Sequence, residues 1–332
     1  MASNSRKRSL QAQRLAEVKA RSAHAKKASG KGHHIRVSPQ HRTPATFGDW
    51  VSGLRARTLP LAIAPVALGA GIAYMLKSFD LTLSLLALVV ALALQIGVNF
   101  ANDYSDGIRG TDAHRVGPQR LTASGKAKPK TVLTVALCWF AIAAIAGLVI
   151  VIITGHWWML AVGAVALLAA WFYTGGKRPY GYAGLGELMV FIFFGLVATI
   201  GTVYIQSTVI PQEAWLGAVS IGLLAVATLL ANNIRDIQTD TVAGKRTLSV
   251  RIGDRASRIL YVVCMLLPFV GTVILAFAYP LAYIVFFVLL LVLPACLIML
   301  TAKTPKELIL VLKLTTLSSL AFGVAMGAAI AF

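Results

Sequence analysis

Two short stretches concentrate the groups in this chain that could do chemistry. "NDYSDGIRG" carries Asn102, Asp103 and Asp106, and "NNIRDIQTD" carries Asn232, Asp236 and Asp240. Helical residues three or four apart share a face. Asn102 with Asp106, Asp103 with Asp106, and Asn232 with Asp236 and Asp240 can therefore each aim oxygens at one small volume. Neither cluster contains histidine or cysteine, and oxygen-only donors suit a hard cation such as Mg2+. Magnesium usually takes one or two protein carboxylates and completes its shell with substrate phosphate and water. Arg109, Arg115, Arg120, Lys177, Arg178, Arg235, Lys245 and Arg246 lie close by in sequence. Metal-binding acids beside arginine and lysine point to an anionic substrate group, with phosphate the first choice.

Taken singly, each aspartate reads as a turn or cap residue. The chain, however, has only 12 acidic residues, and six of them are Asp103, Asp106, Asp112, Glu187, Asp236 and Asp240. Matched spacing in so acid-poor a chain favours a built site. A third polar stretch, "YTGGKRPYGYAGLGE", places Tyr173 and Lys177 four apart and adds Tyr180 and Tyr182. Aromatic faces can stack on a ring or stabilise a carbocation.

The elements that must hold these groups are apolar. The 332 residues are 58% hydrophobic and 13% charged, with a mean hydropathy of +0.76, against about 25% charged in a soluble domain. Apolar runs of about 20 residues, long enough to cross roughly 30 Å of hydrocarbon, recur along the chain. Nine spans are expected: 59–76, 81–101, 131–154, 156–174, 184–206, 214–231, 259–278, 281–301 and 308–332. Proline disfavours helix at the residue before it, so Tyr279–Pro280 divides the seventh span from the eighth. Backbone groups in lipid must pair internally, so the fold class is all-α and integral to the membrane. The carboxylate clusters close the second and sixth spans, which hints at an internal repeat that brings them face to face.

Charge orients the spans. The segments before span one and after spans two, four, six and eight are basic, whereas the alternate loops "KSFD", "GH", "STVIPQE" and "YP" are nearly uncharged. Lysine and arginine favour the cytoplasmic side, which puts the N-terminus and both clusters there. Much of the net charge of +19 belongs to residues 1–46, a polar basic tail without the apolar core of a secretory signal. Its composition suits a solvated, disordered segment near anionic lipid; a surface helix over Leu10–Lys19 is an alternative. The tail has no tryptophan, tyrosine or phenylalanine to stack on bases, so no nucleic-acid partner is expected. Residues 47–332 form the membrane domain. Cys138, Cys264 and Cys296 lie inside apolar runs and read as small buried hydrophobes.

Together the motifs resemble those of the UbiA family of intramembrane prenyltransferases. The resemblance rests on "RARTLPLAIAPVALG", "GVNFANDYSDGIRGTDAHRVGPQRL", "YTGGKRPYGYAGLGELMVFIFFG" and "ANNIRDIQTDTVAGKRTL", and it covers Phe47 to the C-terminus. It implies nine helices around a central cavity, Mg2+ as cofactor and a polyprenyl diphosphate as donor. Within the family, the stretches are most similar to members acting on dihydroxynaphthoate; the 4-hydroxybenzoate members are the alternative. Carried over residue by residue, the resemblance implies Asp103, Asp106, Asp236 and Asp240 as catalytic metal ligands, with Lys177 assisting the diphosphate. Asn102, Arg109, Asp112, Arg115, Tyr173, Asn232 and Arg235 would contact substrate. Gly110 stands where many members have a third aspartate, and whether Asp112 replaces it is left open. A membrane transporter is the rival from another class, but acids at span ends fit it poorly, because transporter sites lie near the bilayer midplane.

Overall fold

The computed structural model describes residues 44–111 and 120–332. The tail up to residue 43, including the expected surface helix, and the loop with Asp112 and Arg115 lie outside the described residues. The described residues form helices and turns, with no strand.

A short helix, α1 (Phe47–Gly53), is the first among the described residues and starts on a capping box between Thr46 and Asp49. A one-turn 3-10 segment at Ala56–Thr58 leads into α2 (Pro60–Met75), whose first residue is proline. Proline suits that position because its missing N–H would be unpaired there anyway. Asp80 caps α3 (Leu81–Arg109) by accepting a 2.9 Å hydrogen bond from Leu83 N. Next come α4 (Pro129–Thr154) and the short α5 (Met159–Phe172). A single helical rod is assembled from α6 (Gly186–Val190), a π-helical stretch (Phe191–Val197) and α7 (Ala198–Ser207). The longest helix is α8 (Gln212–Val242). Then follow α9 (Leu248–Leu266), α10 (Pro268–Ala276), a 3-10 segment at Pro280–Val288, α11 (Leu289–Thr301) and α12 (Glu307–Ala331).

Seven helices in the described residues are long and apolar enough to cross a membrane, and an eighth crossing is available if the bent pair Phe47–Thr58 and Pro60–Met75 acts as one. Nine full-length spans are therefore not reached among the described residues. The expected fourth span is only the 14-residue α5, about 21 Å at 1.5 Å per residue. It loses its ends to turns at Trp157–Trp158 and to the glycine turn after Thr174. The break at Tyr279–Pro280 falls where proline required it. Gly253, with φ of +84°, separates a short helical turn from the seventh expected span.

Length explains where the carboxylates sit. The 29 residues of α3 and 31 of α8 rise about 44 and 46 Å, well beyond the roughly 30 Å hydrocarbon slab. Their last turns, which hold both clusters, can therefore emerge from it. In α8, 72% of the apolar window is buried, against 28–50% in the other six long spans, so α8 is the axis around which the bundle packs. Its inner face joins Leu68 and Ile72 of α2 with Ile221, Leu224 and Leu230 in the main core.

Close backbone approach tightens the bundle. A Cβ on Gly71 would lie 2.2 Å from the carbonyl oxygen of Gly327, and one on Gly323 would lie 2.5 Å from that of Ala64. Glycine at these crossings lets α2 and α12 touch through their backbones, the usual device where lipid removes the hydrophobic drive between helices. Buried hydroxyls fold back onto their own helices: Thr202 donates to Ala198 O (2.7 Å), Ser220 to Leu216 O (2.8 Å) and Thr315 to Val311 O (2.7 Å). Large apolar side chains such as Ile145, Ile152, Leu290 and Leu297 face outward, as a lipid-facing surface requires.

Candidate active site

A polar stripe on α3 builds one wall of a cavity. Gln95, Asn99, Asn102 and Asp106 are all buried, and their spacing of four, three and four keeps them on one face of the helix. The upper pair organises the turn before α2. Gln95 Nε2 donates to Thr58 Oγ1 (3.0 Å) and Asn99 Nδ2 to Leu54 O (2.9 Å). These bonds hold a turn in which Arg55 has left-handed backbone angles, φ 53° and ψ 56°, a conformation uncommon outside glycine. Arg55 thereby lines the cavity. The lower pair reaches the cavity directly. Asn102 Oδ1 accepts a 2.6 Å hydrogen bond from Thr174 Oγ1.

Asp106 is held by three side chains. Arg120 Nη1 lies 3.0 Å from Oδ2, Lys245 Nζ lies 3.3 Å from Oδ1, and the Tyr182 hydroxyl donates to Oδ1. Lys245 Nζ also sits 4.7 Å from the centre of the Tyr182 ring, within cation–π range. Burial, and next the charge of Asp106, push the Tyr182 phenol above its ordinary pKa. It therefore stays protonated and keeps donating.

The facing wall is the end of α8. Asn232, Asn233, Asp236 and Asp240 line the same cavity as Asn102 and Asp106. Asp236 is clamped by its neighbour: Arg235 Nε and Nη2 reach its two oxygens at 2.8 and 2.6 Å. No hydrogen bond or ion pair joins the Asp240 carboxylate to another described residue, although Lys245 N closes the helix end on Asp240 O (2.9 Å). Arg246 N then bonds Tyr182 O (2.9 Å), which ties the loop after α8 to the tyrosine loop.

The expected site residues thus divide. Asn102, Asp106, Tyr173, Asn232, Asp236 and Asp240 meet at the cavity. Asp103 does not. Its two oxygens accept 2.9 Å hydrogen bonds from the backbones of Leu121 and Thr122, so it fixes the loop that delivers Arg120. Lys177 is exposed and outside the cavity. Its four-residue spacing from Tyr173 presumed a continuing helix, whereas α5 ends at Phe172 and Gly176 turns the chain with φ of +73°. Arg109 points outward as a strap, donating to the carbonyls of Thr174 and Gly176. Arg235 is spent on Asp236 and does not line the cavity. Asp112 and Arg115 lie outside the described residues.

In their place the cavity gains Arg55, Arg120, Thr174, Tyr182, Asn233 and Lys245. The polar stripe Gln95–Asn99–Asn102 on an otherwise greasy helix was the available signal for Arg55, because buried amides need partners. Among the described residues, no three His, Cys, Asp or Glu side chains converge as a self-sufficient metal cage. The three cavity carboxylates and three amides instead form an open, oxygen-rich lining. Such a lining fits a hard ion whose remaining ligands come from a phosphate and water.

Residues 62–329 match the UbiA prenyltransferase family. The chain is 48% identical over 288 residues to the 1,4-dihydroxy-2-naphthoate octaprenyltransferase of Mycobacterium tuberculosis, covering 87% of this chain and 98% of that one. It is 38% identical over 224 residues to the enzyme of the same name from Escherichia coli, covering 66% and 72%. In fold it is similar to a UbiA homolog from Aeropyrum pernix (TM-score 0.62, 16% identity, 83% of this chain and 97% of that one). It is also similar to one from Archaeoglobus fulgidus bound to DMAPP and Mg2+ (TM-score 0.60, 14% identity, 84% and 98%). With seven helices among the described residues long and apolar enough to cross a membrane, a cavity lined by Asp106, Asp236 and Asp240, and a family match over four-fifths of its length, this chain belongs to the UbiA prenyltransferase family of multi-pass membrane proteins.

Proposed function

We propose that this protein transfers a polyprenyl group from polyprenyl diphosphate to 1,4-dihydroxy-2-naphthoate, with Mg2+ as cofactor. Its nine crossings would count the bent α1–α2 pair and the short α5, and the N-terminus and cavity would face the cytoplasm of the cell membrane. The observation that carries the reading is the convergence of Asp106, Asp236 and Asp240 with Lys245, Arg120 and Arg55 on one cavity at the ends of two overlong helices. That place suits a substrate with an ionic head and a long apolar tail. The names of the relatives support the acceptor.

Asp106, Asp236 and Asp240 would hold the metal, which when bound neutralises the diphosphate as a Lewis acid. Lys245, Arg120 and Arg55 stand ready to take the phosphate oxygens, and so stabilise charge that grows as the leaving group departs. Tyr182, kept protonated, can pass its hydrogen bond from Asp106 to the same oxygens. Tyr173 lines the same cavity, and its ring would stabilise positive charge on the allylic carbon. In the reaction the C1–O bond of the donor breaks and its electron pair leaves with diphosphate. The ring carbon bearing the carboxylate attacks C1. That carboxylate then departs as CO2, and its bonding pair restores the aromatic ring, leaving demethylmenaquinol. The surrounding apolar bundle keeps water from the cation.

The test is turnover of radiolabelled polyprenyl diphosphate by the purified full chain, with and without Mg2+. Prenylated dihydroxynaphthoate formed only with the metal supports the reading; metal-independent turnover, or transport without chemistry, overturns it.

A further inference from the structure

One buried acid has no part in the rim chemistry. Glu187, at the start of α6, is 6% exposed. Its Oε1 accepts a 2.8 Å hydrogen bond from Asn233 Nδ2, and its Oε2 is buried with no partner in the described residues. Sealing a carboxyl among apolar helices and leaving one oxygen unsatisfied is unfavourable, and the fold gains no second bond in return.

The neighbour explains it. Asn233 lines the cavity, on the same helix as Asp236 and Asp240 but about 4.5 and 10.5 Å nearer the helix middle. An amide can face either way, and which way is set by its partners. In the structure the Glu187 oxygen faces the amide NH2, the arrangement that an ionised carboxylate, which only accepts, requires. The Asn233 carbonyl oxygen is then turned away from Glu187. It takes no hydrogen bond from the described residues and is not sealed from the cavity. One turn below the phosphate-binding rim, the wall therefore offers an acceptor oxygen to the cavity that Tyr173 also lines. That oxygen pairs with a hydroxyl and repels a carboxylate or phosphate oxygen.

We propose that Asn233 recognises a phenolic hydroxyl of the aromatic acceptor, and that Glu187 is the positioning residue that fixes the amide for that task. The inference rests on the prenyl-transfer reading above and adds the residue pair that selects and orients the ring. Depth fits: the ring must meet C1 of the donor just below its diphosphate, one turn inside the rim.

The experiment uses the purified full chain with Mg2+, polyprenyl diphosphate and dihydroxynaphthoate, and reads KM for each substrate separately. Glu187→Gln nearly preserves shape but lets a donor face Asn233, freeing the amide to flip its NH2 toward the cavity. KM for the naphthoate should rise about tenfold, the order of one lost hydrogen bond, while KM for the diphosphate stays within about twofold. The swap Glu187→Gln with Asn233→Asp again presents an acceptor oxygen to the cavity and should recover most of that loss. A merely structural role predicts no such rescue. Should Glu187→Gln not fold, Asn233→Ser reads the same carbonyl, and unchanged naphthoate KM there overturns the inference. So does a Glu187→Gln enzyme with both KM values unchanged, or a swap no better than the single variant at equal melting temperature. Wild-type turnover in those cases leaves the prenyl-transfer reading standing; wild-type inactivity on every hydroxylated aromatic acceptor overturns both.

Discussion

The ends of α3 and α8 carry nearly the same pattern of asparagine and aspartate, yet the structure uses them differently. On α3, Asp103 is consumed by two backbone N–H groups and Asp106 by Arg120, Lys245 and Tyr182. On α8, Asp236 is held by the adjacent Arg235, and no described side chain pairs with Asp240. Similar spacing therefore does not mean the same duty. The α3 end is a latched wall whose cations come from other loops. The α8 end is the more open wall, with a free carboxylate at its last turn.

The strongest way to break this comparison is to remove the carboxylates that meet in the cavity. Asp106→Ala, Asp236→Ala and Asp240→Ala should each lower turnover roughly 100-fold or more, the scale of losing a charge-stabilising group, with the protein still in the membrane. Near-normal rates in any two at equal expression would sink the two-wall site. Asp103→Ala should behave unlike all three. It strands two backbone donors, one buried and one half-buried, the buried one costing about 1–3 kcal/mol, so the melting midpoint should fall. Mg2+ affinity of the protein that remains folded should not change; a metal-binding defect at unaltered stability would return Asp103 to the ligand set.

The cations sharpen the same contrast. Lys245→Ala should slow prenyl transfer about 10- to 100-fold, because a buried charge-assisted contact is worth roughly 1.5–3 kcal/mol. Lys177→Ala, on an exposed turn, should change little. Initial rates at saturating Mg2+ decide it, and the reverse order would put the turn after α5 back in the site. The smallest effect belongs to the basic tail: a chain starting near Pro44, which keeps the capping box at Thr46 and α1, should keep its turnover in detergent.

Much of the bundle was legible because lipid leaves few choices. Twenty apolar residues in a row must be helix, and Tyr279–Pro280 must break it. The carboxylates that meet were legible for a related reason: so few acids, so alike in spacing, had to be there for something. The cations were not. Tyr173 and Lys177 are a helical pair only if the helix continues, and Thr174–Gly175–Gly176 ends it. Lys245 and Arg120 sit on loops, where sequence spacing says nothing of direction. Arg55 depends on a left-handed turn held by amides some 40 residues away in sequence. Asp103 shows the opposite failure, for it is spaced like a ligand, but loop N–H groups reach it first.

The central claim is that both walls act together on one diphosphate-bearing donor and one naphthoate. Mass spectrometry of the product formed by the purified full chain, Mg2+ and polyprenyl diphosphate, offered dihydroxynaphthoate and 4-hydroxybenzoate in parallel, tests it most directly. The expected product comes from the naphthoate and has gained the prenyl group and lost CO2, with little product from the benzoate. Prenylated benzoate as the main product, or a prenylated naphthoate that keeps its carboxyl, would contradict it.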